Sequence, residues 1–285
     1  MKKVGCFLLF LGVFLAGTDA RGEGNMLNVL KKLYPPQFSA MVQGGDFVRM
    51  NTPYSGEGAW SFEVYRGDLV LKGGRKDSMP VIVLNLDGKK FIVPVIFSVE
   101  EGKNYGLLWG FHATPAVKLP HSEKHLVSGG GNCTHSVSIF SDPECSFCQK
   151  LVPLYIDLAA QRDFCVYYHH YPLKFHKNAR KLSRFMYVAM SRLPVTERSG
   201  FLKKFYGKSR SVEEAEKLAL ETFKAHGGNE KDFYRLASGE ADDVINADLD
   251  LGQKANVAGT PTFFVNGRKV NNSVYAEILD MVREK

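Results

Sequence analysis

The stretch at residues 140–150, FSDPECSFCQK, holds two cysteines, Cys145 and Cys148, with two residues between them. Such a pair binds zinc, closes an inert bridge, or exchanges electrons. Its surroundings favour the third reading. Residues 136–141 read as a short buried strand, and a helix begins near Cys145 and runs to about Arg162. The pair therefore sits where a strand meets a helix N-terminus. The first helical N–H groups have no intrahelical partner, and the macrodipole is positive there. Both favour a thiolate, and helix N-termini and Cys-x-x-Cys settings lower a cysteine pKa from its free value of ~8.5. Cys145 comes first and is expected to be the more exposed, so it is assigned as the attacking thiolate. Cys148, one turn further on the same face, would resolve the mixed disulfide. Zinc would need four ligands, usually as two close pairs, and Cys133 and Cys165 lie 32 residues apart without such pairing. An inert bridge across so small a loop would be strained.

The flanking sequence extends this pattern. Residues 165–171 (CVYYHHY) read as a second strand, so two strands are joined through a helix, which implies a parallel βαβ unit. Pro153 falls inside that helix, where a kink is expected. Residues 174–257 read as four or five helices. Ser211 and Glu214 form a capping box, and Gly227 suits the matching C-terminal stop. A third strand spans residues 262–266, turns through Asn266-Gly267 into a fourth, and a helix over 274–283 closes the chain. Pro261 stands at the entrance of the third strand, a position that tolerates proline, and an X-Pro bond makes a cis peptide accessible there. Cys133 and Cys165 open adjacent parallel strands at similar heights. They are either a structural disulfide, contributing roughly 3–4 kcal/mol in the chain-entropy model, or two buried free thiols. His169 and His170 are adjacent on a strand and point to opposite faces, so both are read as structural.

The first half is of a different kind. The chain's 285-residue length favours two domains. Residues 46–52, 59–65, 68–72, 80–86 and 91–97 are short runs rich in Val, Ile and Phe, and Asp87-Gly88 is a hairpin signal. A short helix over about 26–33 precedes them. Residues 21–118 are thus a small antiparallel α+β domain, with Trp60, Phe62, Tyr65, Trp109 and Phe111 filling its core. Residues 119–131 (LPHSEKHLVSGGG) read as a linker. At the start, Lys2 and Lys3 precede an apolar run over 4–16, and Thr18 and Ala20 place small residues at a cleavage site. This is the pattern of a signal peptide cleaved after about Ala20, since a membrane span needs roughly 20 apolar residues. Cleavage removes Lys2, Lys3 and Asp19 and takes the formal charge from +7 to +6. No run of five or more basic residues occurs, which disfavours nucleic acid as a partner. All four remaining cysteines lie after residue 130, in a chain bound for an oxidising compartment.

With these features together, the chain resembles the exported bacterial thiol–disulfide oxidoreductases of the DsbA/DsbC/DsbG-like thioredoxin-fold group. The resemblance covers residues 133–285. It rests on the FSDPECSFC stretch, on Pro153, on Tyr171-Pro172-Leu173 with His176 and Ala179, and on Gly259-Thr260-Pro261 leading to Asn266-Gly267. It implies an α/β thioredoxin fold over 132–285 with an inserted helical block at 174–257. It implies catalysis by Cys145 and Cys148, a cis Pro261 beside them, and a Thr260 backbone that pairs with an extended substrate. It implies no metal and no cofactor beyond the cysteines. Partners would be unfolded or misfolded cysteine-containing exported proteins and a membrane redox partner that recycles the pair. The N-terminal domain would form a homodimer, and the compartment would be the periplasm. The chain departs from the group at Ile139, six positions before Cys145, where many relatives carry a buried acid; Glu144 and Lys150 are the nearby charged alternatives. The Ser146-Phe147 dipeptide and Thr260 lean towards isomerases, and the helical block towards oxidases. A second reading is a dimeric chaperone-like module for unfolded exported proteins, with redox activity secondary or lost.

Overall fold

The computed structural model describes residues 14–15, 22–33, 36–50, 60–74, 76–86, 89–93, 104–130, 133–209 and 211–284. The leader expected at 1–20, apart from Phe14 and Leu15, and the Asp87-Gly88 turn fall outside these. The chain divides into two compact units, Met1–Pro115 and Ala116–Lys285.

The first unit is an antiparallel sheet with helices on both faces. Its elements are β1 (Phe14–Leu15), α1 (Gly22–Leu33), α2 (Pro36–Met41), β2 (Val42–Met50), β3 (Trp60–Leu71), β4 (Lys76–Leu86), β5 (Lys89–Ile92) and α3 (Tyr105–Ala113). The spatial order is β1-β5-β4-β3-β2. Side chains alternate between faces along a strand, and β4 shows what this does here. Val81 and Val83 join Met26, Val29 and Leu30 of α1, while Ile82 and Leu84 join Phe62 and Trp109 on the other side. A strand buried on both faces reads as a continuous apolar run, as residues 80–86 do. The Phe62 and Trp109 rings pack 5.1 Å apart.

Two runs expected as separate strands, 59–65 and 68–72, are one strand, β3. Arg66-Gly67-Asp68 looks like a turn in sequence. In the sheet Gly67 pairs with Phe47 of β2, and a Cβ at Gly67 would lie 2.7 Å from the Phe47 ring. The aromatic ring covers the glycine and keeps the strand continuous.

The second unit is built on a five-stranded sheet of order β10-β9-β7-β8-β6. In chain order it contains β6 (Leu126–Ser128), β7 (Ser136–Ser141), α4 (Ser146–Ala160), β8 (Cys165–His170), α5 (Ala179–Met190), α6 (Val195–Lys208), α7 (Val212–Ala225), α8 (Glu230–Ala237), α9 (Glu240–Lys254), β9 (Thr262–Val265), β10 (Arg268–Val270) and α10 (Tyr275–Arg283). β7 and β8 run parallel through the α4 crossover, and β9 pairs antiparallel with β7. This is a thioredoxin fold, with α5 to α9 as the inserted helical block. Central β7 is buried along its whole length. Its Phe140 packs with Tyr171, Val257 and Phe264 on one side, while Ser141 meets Tyr206 of α6 on the other. α4 runs on through Pro153, and Tyr155 stacks flat on Tyr275 of α10 at 4.4 Å. The Ser211 hydroxyl caps α7 by accepting from Glu214 N.

The segment expected to be a linker carries β6, which pairs with β8. One of its glycines, Gly129, packs against a disulfide that joins Cys133 and Cys165, whose Cα atoms are 5.5 Å apart. Gly129 has φ +97°, and a Cβ there would sit 2.9 Å from the Cys165 Cα and sulfur. Only glycine satisfies both demands. Gly129→Ala is expected to destabilise the second unit by more than about 1 kcal/mol, read as a lowered midpoint in thermal or urea unfolding of the oxidised protein.

Candidate active site

β7 ends at Ser141, and the next three residues turn the chain into α4. The turn is fixed from inside by Asp142, whose carboxylate accepts from Glu144 N at 2.7 Å. A short polar side chain that bonds its own backbone two residues on is a frequent turn device. The same carboxylate accepts from Leu173 N at 2.7 Å and His176 Nδ1 at 2.8 Å, both in the segment after β8. Cys145 then occupies the N-cap of α4, with its carbonyl accepting from Gln149 N at 3.0 Å. Cys148 lies one turn later. Both are free thiols. Cys145 is 7% exposed and Cys148 has no exposure, so both are buried, with Cys145 at the edge.

The late proline reaches the same place. The Thr260–Pro261 peptide bond is cis, and the Cys145 thiol lies 3.4 Å from the Thr260 carbonyl oxygen. Thr260 and Pro261 are half-buried and line the approach to this sulfur. The four residues Cys145, Cys148, Thr260 and Pro261 are therefore together, and Cys133 and Cys165 lie apart from them at the other end of β7 and β8.

The two sulfurs differ sharply. Cys145 is drawn down to about 5, first because the Cys148 thiol donates a hydrogen bond to it. Burial opposes the shift, but the N–H groups of Cys148 and Phe147 and the Thr260 hydroxyl add to it. Cys148 is pushed far above the usual thiol range, first by burial and then by holding its proton towards Cys145. The Ser141 hydroxyl and the Asp142 N–H favour its ionised form without overcoming burial. One sulfur is thus a ready nucleophile, and the other keeps its proton. Phe147, between them, is 67% exposed, and Phe175 in the segment held by Asp142 is 75% exposed.

The profile of the Thioredoxin family matches residues 121–284. The chain belongs to the thioredoxin family. Among solved structures, this thioredoxin-family chain is similar to BdbD from Bacillus subtilis, at 19% identity over 60% of this chain and 97% of that one, with a TM-score of 0.49. It is also similar to a thioredoxin-like oxidoreductase from Silicibacter pomeroyi, at 20% identity over 57% and 95% of the two chains, with a TM-score of 0.46. A third is DsbA2 from Pseudomonas aeruginosa, at 19% identity over 58% and 97%, with a TM-score of 0.40. No curated protein matches the chain. Among the described residues, no helix is long and apolar enough to cross a membrane.

Glu144 and Lys150 do not replace a buried acid at position 139. Glu144 accepts from the Asn178 backbone at 2.7 Å, and Lys150 is exposed. Sequence reasoning gave Asp142 no role, although an Asp two residues before the Glu144 amide at a strand end is the signal of such a turn. His169 and His170 serve the core. His169 Nδ1 meets Asp248 Oδ1 at 2.9 Å, His125 Nε2 lies 3.0 Å from the same oxygen, and His170 N donates to Oδ2 at 2.8 Å. Burial opposes ionisation of Asp248, but these imidazoles hold it below the usual carboxylate range. Burial also lowers His169, and takes His170 down to about 4. His125, His169 and Asp248 are the trio among the described residues with the convergence and donor chemistry of a divalent-metal site.

A depressed folded-state pKa fixes the sign of a pH effect. Cys145 stabilises the folded dithiol fully above the unfolded thiol pKa of ~8.5, and that contribution is lost as pH falls through about 5. In the reduced protein, iodoacetamide alkylation of Cys145 should rise between about pH 4 and 6 and level off above, when followed by mass spectrometry. A thiol of ordinary pKa would still be accelerating at pH 8.

Proposed function

We propose that this chain is an exported thiol–disulfide oxidoreductase acting on cysteines of unfolded or misfolded exported proteins. The observation that carries the reading is the split pair at the start of α4. Cys145 lies at the surface edge with its thiol pKa drawn down to about 5, and Cys148, fully buried one turn on, is pushed far above the usual thiol range. In the oxidised form, a substrate thiolate attacks Cys145 Sγ. The Cys145–Cys148 bond breaks and its electron pair leaves on Cys148, which takes up a proton. A second substrate thiolate then attacks the mixed disulfide at the substrate sulfur, and Cys145 departs as a stabilised thiolate. The substrate has lost two electrons and two protons, and the pair has gained the electrons. Isomerisation uses the same mixed disulfide, entered from the dithiol.

The stabilised Cys145 thiolate favours the reduced state and so makes the disulfide a good oxidant. Disulfide donation is therefore the preferred direction. Thr260 and Pro261 flank the reacting sulfur and would receive an extended chain, with Phe147 and Phe175 offering apolar surface to unfolded clients. The basic start, the apolar run over 4–16 and the small residues Thr18 and Ala20 have the pattern of a leader, which supports delivery to the periplasm, where a membrane redox partner would reoxidise the pair. Residues 21–118 are the region that would join two copies.

Cys145→Ser should abolish turnover of a model dithiol peptide, and retained turnover would overturn the mechanism. Cys148→Ala should trap substrates on Cys145, seen as mixed-disulfide bands on non-reducing gels. Equilibration of the protein in glutathione buffers should place the pair nearer ~−120 mV than ~−270 mV, the values for a strong donor and for thioredoxin. A value at the reducing end would assign reduction or isomerisation instead.

A further inference from the structure

Cys148 has a problem that its partner does not share. It is fully buried, it must ionise whenever it attacks the mixed disulfide, and the strand position on its own side, Ile139, is apolar. The turn carboxylate of Asp142 is already engaged by Glu144, Leu173 and His176. Yet the wall behind Cys148 is not apolar. Ser141, at the end of β7, sits beside Cys148, and its hydroxyl favours the ionised form of that sulfur. Its Oγ lies 2.5 Å from Tyr206 OH of α6, and that oxygen lies 2.7 Å from Tyr168 OH of β8. All three side chains are 2% exposed or less. Three elements thus bring three buried hydroxyls into a row whose Ser141 end favours ionisation of one sulfur.

We infer that Tyr168, Tyr206 and Ser141 form a one-way donor chain that stabilises the Cys148 thiolate as it attacks the mixed disulfide. A hydroxyl has one proton to give and can accept others. Pointed at the sulfur, Tyr168 donates to Tyr206, Tyr206 to Ser141, and Ser141 to Cys148. Three protons then fill three acceptors, and no buried donor is left over. Each bond polarises the next, which strengthens the last one. Hydrogen bonds to a charged acceptor are the strong kind. The inference rests on the oxidoreductase reading and assigns positioning residues to its resolving step. In that step Cys148 Sγ bonds to Cys145 Sγ, the bond between Cys145 and the substrate sulfur breaks, and its electron pair leaves with the substrate. Cys148 is oxidised, the substrate sulfur is reduced, and the proton lost by Cys148 ends on the released thiolate through solvent. The hydroxyls hold the charge without carrying the proton away.

The test tracks one mixed disulfide. The reduced protein is reacted at acid pH with a peptide disulfide, jumped to neutral pH, and acid-quenched to time peptide release. The series at position 206 is tyrosine, 3-fluorotyrosine and 3,5-difluorotyrosine, with Tyr206→Phe as the null donor. Fluorination makes the phenol a stronger donor at nearly constant size. Release should speed up with each fluorine and slow roughly three- to fourfold in Tyr206→Phe. That figure assumes a Cys148 pKa raised by about one unit, part of which is offset by the higher nucleophilicity of a more basic thiolate. A packing role alone leaves the fluorinated proteins at the tyrosine rate. Equal rates across the series, or a reversed order, would overturn the donor chain. If Tyr206→Phe does not fold, the fluorinated proteins decide by themselves. If the tyrosine protein forms no mixed disulfide at all, the oxidoreductase reading falls, and the donor chain with it.

Discussion

Asp142 has no exposed surface, yet its carboxylate takes three hydrogen bonds from three directions. The Glu144 amide closes the turn after β7. The Leu173 amide and the His176 ring tie down the segment after β8. Losing the carboxylate would leave these donors without their acceptor, and buried unmet donors are costly. The consequence is geometric. The turn sets where α4 begins, the start of α4 sets where Cys145 points, and the held segment carries Phe175. One buried side chain thereby registers the Cys145 sulfur against both the sheet and the apolar surface beside it. The Cys145 sulfur then finds the Thr260 carbonyl from the opposite end of the fold, 115 residues later in sequence.

The second unit was largely legible in the sequence because its signals are local. The strand at 136–141, the crossover helix, the Asn-Gly turn and the Ser211 cap are each fixed by a few neighbouring residues. The cysteine pair at a helix start is also local chemistry. What could not be seen is everything that depends on non-local partners. Ser141 looks like an ordinary strand residue until Tyr206 and Tyr168 arrive from α6 and β8. His125 looks like part of a tether until Asp248 of α9 meets it.

The first unit misled for a related reason. Turn residues are judged by their chemistry, and Gly67 between Arg66 and Asp68 has turn chemistry. Its actual role is to leave room for the Phe47 ring on the neighbouring strand. The Arg66 and Asp68 side chains pair with each other, at 2.8 Å, along the strand that they seemed to interrupt. The short helices α2 and α3 escaped notice as well. α3 is apolar on nearly every side, and such a segment shows no periodicity that would separate it from a strand.

The disulfide between Cys133 and Cys165 clasps β7 and β8 at the end where they start. The free pair lies at the end where β7 finishes. The length of β7, at ~3.3 Å per residue, puts about 17 Å of packed strand between them. Thiol–disulfide exchange needs sulfurs in contact. A reactive thiolate in the same domain as a disulfide would otherwise invite scrambling. Here the protein is its own insulator: in the proposed reaction, electrons entering at Cys145 would have no internal route to the clasp. The proposed pair would cycle through many turnovers while the bond that secures its scaffold stays out of circuit.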